Sequence, residues 1–303
     1  MREQNETSQN NNSETTVVTP ALKPMRFEDI LDTTFSLYRK HFWLFLGLVS
    51  FCVFAELASH LLVDFSEFFF DRSLLLGIAT VLITVTFSVI GIGGVVIGSG
   101  ATYLGETITI HTALQRTIDR FWPLMGCFLL WSLVISVLAV TIIGIPFAIY
   151  FAVRWGFFLG TIMFEKPVIS IALKRSSELV RGMWWRMFGT LLAIFLLSTM
   201  IHAIIEISIG LILIATNLVS EIDFIDVFEW GLLGTSFESS TPLFYAISTT
   251  IHLVVHAISF AIWIIGVTLL YFNQRIRKEA FDIEMQNPQP NTSDSDNYSK
   301  IEK

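Results

Sequence analysis

Seven ionisable side chains stand inside otherwise apolar stretches of this chain: Glu56, His60, Arg154, His202, Glu206, His252 and His256. A lone charge at the centre of a bilayer costs about 2.5–3.5 kcal/mol on insertion scales, so such residues pair, meet water or carry function. Glu56 lies four residues before His60, and Glu206 four after His202. A four-residue step places both members of a pair on one helix face. Carboxylate–imidazole pairs of this kind can form a structural polar network, or can simply lie near the outer interface. They can also line a water-filled substrate or proton path, or ligate a metal if the fold converges them. The expectation is a polar cluster of Glu56, His60, Arg154, His202, Glu206 and His252, with no metal and no cofactor. Arg154 stands about nine residues into its stretch, too deep to snorkel fully. It is expected to face the bundle interior and meet Glu56, Glu206 or a water-filled pocket that both line.

The elements that must position these groups are long and apolar. Of 303 residues, 53% are hydrophobic and 15% charged, where a soluble domain carries roughly a quarter charged. A bilayer core of about 30 Å needs roughly 20 apolar residues per helix. Spans are predicted at 42–63, 76–103, 123–142, 145–164, 187–216 and 242–272. Ile143-Gly144 with Pro146 makes the third and fourth a tight hairpin. In Gly91–Gly100, Gly94 and Gly98 predict close helix approach rather than a nucleotide site. Residues 1–24 read as a disordered cytoplasmic tail, 25–275 as one membrane domain, and 276–303 as a second cytoplasmic tail, disordered from about 287.

Basic residues set the orientation. Seventeen of the 19 fall before the first span, in 104–122, in 165–186 or after the last span, while Arg72 alone falls on the other side. That asymmetry predicts six spans with both termini cytoplasmic. The net charge of −7 argues against a nucleic-acid partner.

Two of the basic stretches repeat. Residues 36–47 align without a gap on 178–189, so that Leu37, Arg39, Trp43 and Gly47 fall on Leu179, Arg181, Trp185 and Gly189. Trp122 and Gly126 keep the same Trp-x-x-x-Gly spacing. Each stretch follows an amphipathic segment, so the predicted unit is an interfacial helix plus a two-helix hairpin, used three times. The fold class is therefore an all-α membrane protein with six transmembrane helices and three cytoplasmic amphipathic helices in pseudo-repeats. The interfacial segments could be structural elbows. They could also bind anionic lipid or a membrane protein through Arg39, Lys40, Trp43, Lys174, Arg175, Arg181, Trp185 and Arg186.

The stretches RFEDILDTTFSLYRKHF (26–42) and AVRWGFFLGTIMFEKPVISIALKRSSELVRGMWWRMFG (152–189) carry a likeness. With Asp32, Tyr38, Arg154-Trp155, Glu165, Arg175-Ser176, Gly182 and Trp185-Arg186, the chain resembles the membrane domain of bacterial glycerophosphoryl diester phosphodiesterases over about 25–275. The resemblance implies a multi-pass fold and a prokaryotic inner-membrane address. It implies no activity, because the soluble hydrolase barrel of the fused proteins has no counterpart here. No GxxxxGK[ST], HExxH, GxSxG or EF-hand loop occurs either. The expectation is a non-catalytic membrane protein that contacts lipid or protein in envelope organisation. The alternative is a small transporter or channel using the Arg/Glu/His cluster.

Overall fold

The computed structural model describes residues 24–69, 74–165, 168–216, 224–233 and 242–279. Eleven helices and no strand occur among them. In chain order these are α1 (Phe27–Lys40), α2 (Phe42–Phe69), α3 (Leu74–Tyr103), α4 (Ile110–Ile118), α5 (Phe121–Ala139) and α6 (Gly144–Arg154). There follow α7 (Phe158–Phe164), α8 (Ile169–Val180), α9 (Trp184–Ala215), α10 (Phe224–Leu233) and α11 (Pro242–Glu279). Six stretches are long and apolar enough to cross a membrane: those of α2, α3, α5, α6 with α7, α9 and α11. The protein is an all-α, multi-pass membrane protein. The two tails lie outside the described residues, except that α11 continues to Glu279, past the expected domain end at 275.

The three short helices α1, α4 and α8 each bury one stripe. Position four is Ile30, Ala113 or Ala172, and position eight is Thr34, Thr117 or Ser176; all six are buried. Each short helix packs chiefly on the second arm of a hairpin: α4 on α3, α8 on α7, and α1 on α11. The first short helix thus closes a ring by seating on the last hairpin. Met25 N–H donates to Asn273 Oδ1 at 2.8 Å, and Arg277 Nη2 donates to the Met25 carbonyl at 2.7 Å, which ties the seam.

Small residues let the arms approach. A Cβ on Gly94 or Gly98 would stand 3.0 Å from Leu48, and one on Gly91 2.5 Å from Cys52 Sγ, so the glycine run serves the α2–α3 contact as expected. The α5–α6 turn also forms as expected. Gly144 there faces the Leu138 carbonyl too closely for any side chain, and its N–H is capped by Thr141 Oγ1 at 3.1 Å.

The fourth span is not one continuous helix. It breaks at Trp155-Gly156-Phe157, and Ser176 of α8 fills the break: its hydroxyl donates to the Arg154 carbonyl and accepts from Phe157 N–H, both at 3.1 Å. A side-chain hydroxyl re-satisfying freed backbone groups is what lets a helix break in an apolar setting. Beyond the break, Phe157, Gly160 and Phe164 all meet the ring of Tyr271 on α11.

Candidate functional site

Glu206 organises the polar cluster. It sits on α9, one turn beyond His202, and is fully buried. Its Oε1 is 2.7 Å from His252 Nδ1 on α11, a hydrogen bond between helices. Its Oε2 is 3.1 Å from His202 Nε2, a pairing distance without hydrogen-bond alignment. The His202 and His252 rings stand 5.5 Å apart at 85°. One turn along α11, His256 lies 6.0 Å from His202 and stacks 6.1 Å from His252, and its Nδ1 is 3.7 Å from Glu56 Oε2 on α2. Three helices therefore supply one connected carboxylate–imidazole network. The side chain of His60 lies outside the described residues.

The network's depth follows from helix rise. Glu206 is twenty-two residues along α9 from Trp184, or about 33 Å at 1.5 Å per residue. His252 is twenty-one residues along α11 from Asn273, or about 31 Å. Measured from the end that carries the short helices, that is a full bilayer thickness, so the cluster sits at the opposite boundary rather than mid-membrane. There α10 covers it: Val227 fills the space left by Gly210, and Gly231 admits Ile207. Trp230 is buried beneath. Beside the cluster is a cavity of about 450 Å³, lined by His202, His252, His256, Ser198, Thr199 and Ser259 on its polar side.

Arg154 does not join this cluster, and the expected pairing with Glu56 or Glu206 is not formed. Arg154 ends α6, where the helix break holds it at the level of α8. Its Nη1 donates to Tyr150 Oη at 3.0 Å, and its guanidinium carbon lies 5.8 Å from the Tyr150 ring centroid. Tyr150 in turn stacks on Trp184, whose indole N–H donates to the Tyr150 carbonyl at 3.3 Å.

Beside Arg154 opens an apolar cleft of about 460 Å³, reached by Val153 and Gly156 and lined further by Trp131, Phe188, Leu192 and Val267. Phe195, Phe260 and Trp263 wall both this cleft and the histidine cavity.

The expected interfacial residues fall into two groups. Arg39, Lys40, Lys174, Arg181 and Arg186 are exposed, as are Trp43 and Trp185 with the equivalent Trp122, at 79, 78 and 81%. Arg175 instead turns inward. Its Nε donates to Glu165 Oε2 at 3.0 Å, while Glu165 Oε1 accepts from Tyr271 Oη at 2.7 Å and lies 3.8 Å from Arg275 Nε. This carboxylate, which joins the end of α7 to α8 and α11 at one point, was named in the sequence only through the resemblance. The exposed Lys278 donates its ammonium to the carbonyls of Glu178 and Arg181, capping the end of α8.

The chain matches no family model, no curated protein and no solved structure.

Proposed function

We propose that the protein acts without catalysis at a prokaryotic inner membrane, both termini cytoplasmic, by holding lipid and so helping to organise the envelope. The observation that carries this reading is the lining of the cleft beside Arg154. A solute path needs polar groups along its length; this cleft offers isoleucine, leucine, valine, phenylalanine and tryptophan. Its volume of about 460 Å³ falls in the range of ordinary ligand pockets. An acyl chain fits that chemistry. A guanidinium carries five donors, so Arg154 can serve Tyr150 and a headgroup phosphate together, with the exposed Lys174 and Arg186 adding positive charge at the same end. The likeness over 25–275 to a membrane domain fused to lipid-headgroup hydrolases supports the same reading.

The test is lipid analysis of the full chain extracted in native-membrane particles. Ala152→Phe should fill the cleft, and Arg154→Gln should weaken the headgroup contact. Each should lower retained phospholipid severalfold at unchanged folded yield. Retention that neither change alters would overturn the reading. A second reading, a small transporter or channel, is favoured by the histidine-lined cavity that shares three walls with the cleft. Solute flux in proteoliposomes that is lost on Ala152→Phe would support it.

A further inference from the structure

We propose that His202, Glu206 and His252 form a binding site for a divalent first-row transition-metal ion, with a coordination position open to the histidine-lined cavity. The donor set is two imidazoles and one carboxylate, and the three ligand atoms all lie within 4.8 Å of one another. Imidazole donors suit zinc, iron, copper and nickel, whereas calcium and magnesium take oxygen. Two imidazoles on one tetrahedral ion, with metal–nitrogen bonds of about 2.0–2.1 Å, place their ring centres about 5 Å apart. The His202 and His252 rings are 5.5 Å apart, close to that separation without rearrangement of either helix.

The protein's own hydrogen bonding leaves this group incomplete. Glu206 is fully buried, yet its Oε2 has no aligned donor, although His202 Nε2 stands 3.1 Å away. Buried carboxylate oxygens are ordinarily satisfied. An ion seated between the three ligand atoms would satisfy Oε2, while the direct contacts of 2.7 and 3.1 Å lengthen by a few tenths of an ångström toward the edge of a metal-centred tetrahedron. Binding displaces whatever proton these groups share, as metal binding to imidazole and carboxylate does generally.

Placement makes the site serviceable. His202 and Glu206 lie one turn apart on α9, a chelating pair fixed by a single helix, and His252 comes from α11, so an ion would pin two spans together. The fourth position opens on the cavity of about 450 Å³ rather than on packed side chains. Three protein ligands plus an open position is the arrangement of reactive rather than purely structural zinc sites. The Glu56–His256 pair, one turn away, supplies a further imidazole and carboxylate around the cavity. The inference does not rest on the lipid reading: although Phe195, Phe260 and Trp263 wall both spaces, none of the three ligand residues lines the apolar cleft.

The experiment uses the full chain in nanodiscs, stripped with chelator and titrated with Zn²⁺ alone. One equivalent should bind. His252→Ala and His202→Asn should each weaken it at least tenfold, in protein that elutes as the parent does. X-ray absorption at the zinc edge on the unaltered protein should count two imidazoles at about 2.0–2.1 Å and no sulfur at about 2.3 Å; it needs no variant to fold. A folded parent that binds no Zn²⁺ would leave the cluster a plain ion pair and overturn the proposal. So would binding that survives both substitutions, or a spectrum with sulfur or fewer than two imidazoles.

Discussion

Replacing Glu165 by glutamine should cost about 2–4 kcal/mol, far more than an ordinary surface charge removal. The carboxylate accepts from Arg175 Nε at 3.0 Å through one oxygen and from Tyr271 Oη at 2.7 Å through the other. It is mostly buried, with 15% of its side chain exposed. Hydrogen bonds to charged groups are worth about 1.5–3 kcal/mol each. Glutamine keeps one acceptor but turns an NH₂ toward one of two donors, so one bond is lost outright and the other loses its charge. Arg275, 3.8 Å from the same carboxylate, loses its counter-charge as well. The Arg175–Glu178 pair does not compensate, because Glu178 reaches Arg175 only at 3.7 Å on an exposed surface. Tyr271→Phe removes a single bond and should cost about 1.5–3 kcal/mol. Because both changes act on one network, the double variant should lose less than the sum, with a coupling of about 1 kcal/mol or more. Denaturant-induced unfolding in mixed micelles, followed by tryptophan fluorescence, measures all three. A Glu165→Gln cost within about 0.5 kcal/mol of zero, the range of ordinary surface changes, would refute the reasoning, as would strict additivity with Tyr271→Phe.

Ser176→Ala should cost about 1–3 kcal/mol, because it leaves Phe157 N–H buried without its acceptor. Thr117→Val should stay within about 1 kcal/mol, since that hydroxyl only returns to the Ala113 carbonyl of its own helix; the same unfolding assay compares them. Gly160→Ala should lower stability by about 1–3 kcal/mol, as the new methyl would stand 2.7–2.9 Å from three atoms of the rigid Tyr271 ring. Gly189→Ala, with nothing within 4 Å, should be neutral or stabilising by up to about 1 kcal/mol. With Cys52 and Cys127 replaced, single cysteines at the exposed positions of Phe228 and Glu178 should label from opposite faces of intact cells. Labelling of both from one face would contradict the six-span topology.

Much of the fold was legible because hydropathy reports spans directly. The six stretches, the tight α5–α6 turn and the three short helices all follow from apolar length, glycine and one-faced periodicity. The repeat was deeper than the Trp-x-x-x-Gly match suggested. Aligned on their first residues, α1, α4 and α8 share a small or branched apolar residue at position four, leucine at five and a hydroxyl at eight; the shorter α4 conceals this when alignment begins from the tryptophan. The pairing of His202 with Glu206 was readable from their four-residue step, but recruiting His252 required the packing of two helices far apart in sequence. Arg154 was misjudged because a continuous span was assumed. Once Ser176 holds the break open, the residue lies at the helix end, and its partner Tyr150 is simply four positions back. The helix α10 lies in the connection between the predicted spans 187–216 and 242–272, where no helix was expected, although Val227, Trp230 and Gly231 there carry a packing face.

The closure of the short-helix ring by α1 on α11 has a consequence for biosynthesis. Helices α4 and α8 emerge from the ribosome after the arms on which they rest, whereas α1 emerges first and its resting place last. Met25 and its partner Asn273 are 248 positions apart, so at about 5–20 residues per second the wait is about 12–50 s. Through that interval Tyr38 can lie against Phe42 and Phe45 of α2, but the face around Thr34, which meets Gly266 of α11, has its main resting place still to come. A chain interrupted before α11 would keep that face of α1 uncovered, giving quality-control machinery a marker of incomplete synthesis far from the point of interruption.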